Sequence, residues 1–232
     1  MSDEVKLRAK TAMLTRMLNL QGTIGMFGHV SIRVPGTDKC FMSPGASSEK
    51  ATTRPEHIFV YNVDGTIIEH PGGLIPLEWR IHTQIHRDRP DAMCVVHLHA
   101  PHARAVAIAG KPLKPVFLHG SFLCTGVPTW DNPRLVVNDV QAADLSKTLG
   151  NHTVGQMRGH GTVVAAATAE EAFFACTFLE ENAQIQLQAD LAGGAIPLTD
   201  DEARDCREGT YNTRLFGLLW DFYERKVRLE TD

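Results

Sequence analysis

The sequence predicts an α/β protein in which helices layer onto a largely antiparallel sheet. Two observations point there: period-two apolar runs come in hairpin-like pairs, and runs of helical spacing separate and flank them. A third is that no repeat, low-complexity segment or Gly/Ser/Pro-rich linker divides the 232 residues, so residues 1–232 read as one domain.

The elements follow in order. Residues 3–20 place Val5, Leu7, Ala9, Ala12, Met13, Leu14, Met17 and Leu18 at mostly helical spacing and stop before Gly22. "GHVSIRV" (28–34) alternates as a half-buried strand and turns at "PGTDK". "CFMSP" and "HIFVYNVDGTIIEH" continue the strands, with Asp64-Gly65 as a hairpin signal. "PLEWRIHTQIHRDRP" reads as a helix with Pro76 near its start, Glu78 in its first turn and Pro90 beyond its end. "AMCVVHLH" is a strand, "APHARAVAIAG" a helix closed by Gly110, and "RLVVND" a short strand-like run. "VQAADLSKTLG" is helical up to Gly150, and "TVGQMRGHGTVVAAA" gives two strands about a Gly-His-Gly kink. Thr168 and Glu171 form a capping box for the long helix of "TAEEAFFACTFLEENAQIQLQADLAGG". Residues 200–227 make a further amphipathic helix or a broken pair.

Composition narrows the function classes. A 43% apolar and 22% charged chain is that of an ordinary globular protein, and a net charge of −4 argues against nucleic acid or an anionic membrane as partner. No apolar run approaches the ~20 residues of a membrane span, and "MSDEVKLRAK" has no signal-peptide core. Cys40, Cys94, Cys124, Cys176 and Cys206 show no CxxC spacing and read as free thiols of a cytoplasmic protein.

The histidines carry the chemistry. In a strand, residues i and i+2 share a face, so His97 and His99 project together at the end of "CVVHLH". They are either a two-imidazole grip for a divalent ion or the polar end of a buried strand. His160 lies between two glycines that let the backbone bend and approach another group closely, and three neutral imidazoles make a recognisable catalytic metal site. Glu78 favours the helix dipole or serves as acid/base or displaceable ligand. His82 and His86, spaced i, i+4 without an HExxH pattern, are expected to be exposed or to pack. His102 is expected at the surface or beside the site, not as a ligand.

Taken in order, "FGHVSIRV", "MSPG", "PLEWRIH", "VVHLHAPHARAVA" and "RGHGTVVAAATAEEAF" resemble the class II aldolase/adducin family, over roughly residues 8 to 195. The resemblance implies a three-layer α/β/α sandwich about a mainly antiparallel sheet, and a homotetramer with active sites between subunits. It implies His97, His99 and His160 as ligands of a divalent metal (zinc or manganese, with cobalt or iron(II) compatible) and Glu78 as the acid/base.

Departures from the family pattern bear on substrate. Sugar-phosphate aldolases of the family place two serines before the glutamate to hold phosphate; here stand Pro76 and Leu77, which offer no side-chain donor. His29 replaces an asparagine of the anion-binding loop, and His119 falls near the place of a proton-donating tyrosine. Ser43 and Gly45 still offer to bind an anionic oxygen. "GHVS" with the "SPG" loop resembles the family's decarboxylases of hydroxylated aromatic or pyridine dicarboxylates, such as dihydroxyphthalate and hydroxy-methylpyridine-dicarboxylate. The expected small-molecule reaction is metal-assisted decarboxylation, with Glu78, His29 or His119 as proton donor. Arg80 or Arg33 is a candidate partner for a second carboxylate, and Phe27, Phe117, Phe122 and Trp130 either line the site or pack the core. Two alternatives stand beside it: an aldolase of an unphosphorylated hydroxy-keto substrate, and a non-catalytic adducin-like interaction module.

Overall fold

A computed structural model describes residues 3–45 and 50–231. The helices are α1 (Asp3–Leu20), α2 (Trp79–Asp88), α3 (Pro101–Ile108), α4 (Asp139–Leu149), α5 (Ala169–Leu191), α6 (Asp200–Thr210) and α7 (Thr213–Thr231). The strands are β1 (His29–Arg33), β2 (Lys39–Met42), β3 (Phe59–Asn62), β4 (Ile67–Glu69), β5 (Cys94–Leu98), β6 (Thr129–Trp130), β7 (Val154–Met157) and β8 (Gly161–Ala166). They form one sheet in the order β4-β3-β2-β1-β5-β8-β7-β6, in which β6 and β7 run parallel and the other described pairs antiparallel.

Period-two alternation sorts the central strands between two cores. Val30, Ile32, Val96, Leu98 and Val164 face α1, α3, α5 and α7, packing with Leu14, Leu18, Phe173 and Leu179. Val95, Val163 and Ala165 face the opposite way, onto Ile81 and Ile85 of α2 and Leu145 and Leu149 of α4. The result is the helix–sheet–helix sandwich. Antiparallel register places His29 opposite His97, and Ser31 opposite Val95, so these polar residues share the α2 side of the sheet.

Local chemistry explains the boundaries. Gly65 turns β3 into β4 at φ +95°, helped by Asp64 Oδ1 accepting from the Thr66 N–H. Thr168 caps α5 by accepting from the Glu171 N–H, and Asn138 caps α4. The C-terminal segment is a broken pair, α6 and α7. Two expectations change. "RLVVND" forms no strand, because the Val136 N–H donates to the Glu78 side chain rather than to a neighbouring strand. Glu78 occupies the N-cap position of α2, not its first turn. No helix among the described residues is long and apolar enough to cross a membrane, and all five cysteines are unpaired.

Candidate active site

His97 ends β5 and points to the α2 side; His99 follows on the same face just past the strand. His160 comes from the β7–β8 turn, whose hairpin lays it over the neighbouring strand end. The three rings stand 4.9–5.4 Å apart by centroid, and one ligand atom from each lies within 4.8 Å of the others. His97 Nδ1 donates to the Thr162 carbonyl, which turns Nε2 toward the other two imidazoles. That Nε2 lies 3.1 Å from His99 Nε2. Two nitrogens bound ~2.1 Å from one ion stand ~3.0–3.4 Å apart, so the pair already has the spacing of neighbouring ligands.

The glycine after His160 makes this approach feasible. A Cβ at Gly161 would lie 2.6 Å from the Leu98 carbonyl oxygen and 2.8 Å from His99 Cδ2. Both ring nitrogens of His160 are buried without a hydrogen bond. An orphaned buried imidazole beside two others is what a ligand set lacks until a cation joins it, so these residues fit a divalent metal. Burial, with His97 and His160 nearby, pushes the His99 pKa to about 3, so its ring is neutral and ready to ligate.

Glu78 closes the site. Its Oε2 is 3.4 Å from both His97 Nε2 and His160 Nε2, and its Oε1 accepts from the Val136 N–H at 2.8 Å. Burial alone would raise this carboxyl; the His160 and His97 imidazoles outweigh it and hold the group well below the usual carboxylate range. Glu78, His29, His99 and His160 open onto a cavity of about 440 Å³. Phe27, Pro76, Leu77 and Leu135 give that cavity apolar walls.

The remaining sequence candidates divide. Gly45 lines the cavity, held against the Ile75–Pro76 backbone that leads to Glu78. Ser43 is fully buried, and its Oγ accepts from the Val30 N–H instead of facing the cavity. Arg80 does not line the cavity: it pairs with Asp139 and lies over the Trp79 ring. Arg33 pairs with Asp38. His119 stacks on Phe178 at 4.6 Å, also away from the cavity. Phe122 and Trp130 are core residues and Phe117 packs with Phe178, so Phe27 alone of the four aromatics lines the cavity. His102 caps onto Glu180, and His82 and His86 are fully buried.

Sequence reasoning missed three contributors. Arg104 lines the cavity from the second turn of α3, and its guanidinium makes no hydrogen bond or ion pair among the described residues. It follows His99 by five residues, so an arginine soon after the HxH was its available signal. Val136 orients Glu78 through its backbone, which leaves no signature in residue type. Lys50, 1% exposed, donates to the Gly28 and Pro44 carbonyls and so ties together the two loops that carry His29 and Gly45.

The sequence profile of the Class II Aldolase and Adducin N-terminal domain matches residues 9–187. The chain belongs to the class II aldolase and adducin family. It is 31% identical over 222 residues, 89% of each chain, to a 3,4-dihydroxyphthalate decarboxylase of Arthrobacter keyseri. An aldolase II superfamily protein from Pseudomonas syringae superimposes with a TM-score of 0.88 at 22% identity, covering 100% of this chain and 96% of its own. L-Fuculose 1-phosphate aldolase from Glaciozyma antarctica PI12 does so at 0.84 and 21%, covering 97% and 89%. The fold is thus the class II aldolase sandwich, and the protein is an enzyme, a lyase. Class II aldolases depend on a divalent metal, and the three histidines are a group able to hold one.

Proposed function

We propose that this single-domain protein is a cytoplasmic, metal-dependent decarboxylase of a hydroxylated aromatic or heteroaromatic dicarboxylate, of the dihydroxyphthalate or hydroxy-methylpyridine-dicarboxylate type. The observation that carries it is Arg104, without a partner among the described residues, lining the same apolar-walled cavity as His99, His160 and Glu78. A flat ring fits the Phe27, Leu77 and Leu135 walls, and Arg104 forms a charge-assisted pair with a ring carboxylate. Pro76 and Leu77 offer no side-chain donor to a phosphate there. The name of the Arthrobacter keyseri relative supports the same substrate class.

His97, His99 and His160 would hold the ion, zinc or manganese, which would supply Lewis-acid stabilisation to the negative charge that develops on the substrate. Glu78, resting as a carboxylate, first takes up a proton from solvent, and its Oε2 passes it to the ring carbon that bears the departing carboxylate. The carbon–carbon bond then breaks, its electron pair returns to the ring, and carbon dioxide leaves. Val136 holds the other carboxylate oxygen, fixing the direction of that proton. The exposed apolar side chains at the cavity mouth, Phe27 at 56% and Leu77 at 71%, suit a neighbouring subunit in a homotetramer.

The test is metal analysis of purified protein, then release of carbon dioxide from ortho-hydroxy aromatic dicarboxylates by the metal-loaded form. Near one ion per chain, lost in His97→Ala and His99→Ala, is expected. Carbon dioxide from none of these acids, with pyruvate or an aldehyde from an unphosphorylated hydroxy-keto acid, overturns decarboxylation in favour of retro-aldol cleavage. Absence of bound metal overturns both.

A further inference from the structure

Behind the cavity runs a line of four buried polar side chains that the reaction above does not use. His29 Nδ1 meets His82 Nε2 at 2.6 Å, and His82 Nδ1 meets Ser31 Oγ at 2.7 Å. Ser31 Oγ meets His86 Nε2 at 2.8 Å, and His86 Nδ1 meets the Ala92 carbonyl at 2.8 Å. His29 is 5% exposed and the other three side chains 0%. The ladder arises from matched periods. His29 and Ser31 are i, i+2 on β1, a rise of ~6.6 Å, and His82 and His86 are i, i+4 on α2, a rise of ~6.0 Å.

The direction of every bond in this line is fixed from its inner end. A carbonyl only accepts, so His86 Nδ1 must carry the hydrogen. Burial pushes the His86 pKa to about 4, so the ring is neutral and its Nε2 is a lone pair. Ser31 therefore donates to His86 and has only its lone pairs left for His82, whose Nδ1 must be the donor. Burial disfavours a charged His82 as well, so its Nε2 accepts and His29 Nδ1 donates. His29 is left with Nε2 bare. That atom has no hydrogen-bond partner among the described residues, and His29 lines the cavity.

We propose that Ser31, His82 and His86 are positioning residues that lock His29 in its Nδ1–H tautomer, so that His29 Nε2 meets the substrate's hydroxyl as a hydrogen-bond acceptor. The identity of that hydroxyl rests on the function proposed above; the tautomer does not. The relay selects substrates that bring a donor to this position, a ring hydroxyl, and disfavours those that bring another carboxylate oxygen. It also assigns His29 the receiving end of a hydrogen bond, leaving Glu78 to deliver the proton to carbon.

The experiment is two-bond 1H–15N correlation of histidine-labelled, zinc-loaded protein, which reads each ring's tautomer without turnover. The Nδ1–H pattern is expected for His29, His82 and His86 together. Ser31→Ala removes the link that sets the direction; His29 and His82 then become tautomer mixtures, and kcat falls ~10-fold or more with a smaller change in KM. Ser31→Thr keeps the hydroxyl and restores both the spectrum and kcat. An Nε2–H tautomer at His29 in the parent protein, which needs no variant to fold, overturns the proposal. So does a Ser31→Ala spectrum that leaves His29 unchanged. The expected tautomers in a protein that decarboxylates no hydroxy acid uphold the relay and overturn the function instead.

Discussion

Adding one methyl group at Gly161 offers a sharp test of the metal site. Gly161 does not need glycine for its backbone, since its φ lies outside the left-handed region, so Gly161→Ala acts through space alone. The new Cβ would stand 2.6 Å from the Leu98 carbonyl oxygen, about 0.8 Å short of the 3.4 Å where ordinary contact begins. It would also press on His99 Cδ2 at 2.8 Å and His97 Cε1 at 3.2 Å, carbons of two of the three ligand rings. The carbonyl belongs to a central strand paired on both sides and cannot retreat freely. Overpacking of this kind costs ~1–3 kcal/mol. At this chain length that lowers Tm by roughly 2–4 °C per kcal/mol. Displacing ligand rings should weaken zinc binding ~10–100-fold, the range seen when groups that orient ligands are altered. Gly110→Ala is the control: its φ of +65° makes the alanine strained, at ~1–2 kcal/mol, but nothing lies within 4 Å. Calorimetry should show both variants destabilised, while competition with a chromophoric chelator should show weakened zinc binding in Gly161→Ala alone. Parental zinc affinity in Gly161→Ala would refute the three-histidine site.

Further predictions concern the groups around it. Glu78→Gln keeps an oxygen to accept from the Val136 N–H but cannot deliver a proton; kcat should fall ~10²–10⁴-fold with metal content intact, and an unchanged kcat removes Glu78 from proton transfer. Arg104→Met should raise KM for a dicarboxylate ~10–100-fold, the worth of a charge-assisted hydrogen bond, while sparing the matching monocarboxylate; equal effects on both place Arg104 off the substrate. Burial lowers the Lys50 pKa from the ordinary 10.5 to about 7. Between these values the unfolded chain holds a proton that the folded one sheds, so folding stability should rise with pH across that window, by up to ~1.4 kcal/mol per unit, and this contribution should be lost as pH falls through about 7. Denaturant titrations of the parent and Lys50→Met at several pH values check this, since the variant should lose that slope. Chelation of the metal should lower Tm, because a ligand bound to the folded state alone stabilises it by mass action; an unchanged Tm in metal-loaded and stripped protein speaks against the site.

Much of the sheet and the ligand geometry was legible because both leave local patterns. "CVVHLH" alternates, so Val96 and Leu98 fall into the α5-side core while His97 turns to the α2 side. The glycines about His160 signal close approach, and Gly161 lies where a Cβ would strike the neighbouring strand. What escaped depends on partners distant in sequence. Val136 has the apolar, β-rich look of a strand residue, yet its N–H is committed to a carboxylate 58 residues away. Arg104 has the same residue type as Arg80 and Arg33, and only the packing shows that those two have acidic partners while it has none among the described residues. His82 and His86 carry i, i+4 spacing, but their shared partner is a serine on β1, 51 and 55 residues away in sequence, which no metal-binding pattern reveals. The two-residue β6 and the 3-10 helix Leu118–Thr125 are too short and aperiodic to register.

The two faces of the central strands thus carry different burdens. Toward α5 they are apolar, and burial there stabilises the fold at ~1.5–3 kcal/mol for each fully buried large side chain. Toward α2, His29, Ser31, His82, His86 and His97 are all buried, and each would cost ~1–3 kcal/mol if left without a partner. The relay satisfies the first four along a single direction, and the Thr162 carbonyl accepts from the His97 Nδ1–H. Among these buried imidazoles His160 is the exception, with both ring nitrogens unbonded. A cation at the ligand cluster would give these nitrogens a partner as well as supply the chemistry. Stability and catalysis are thus coupled at His160.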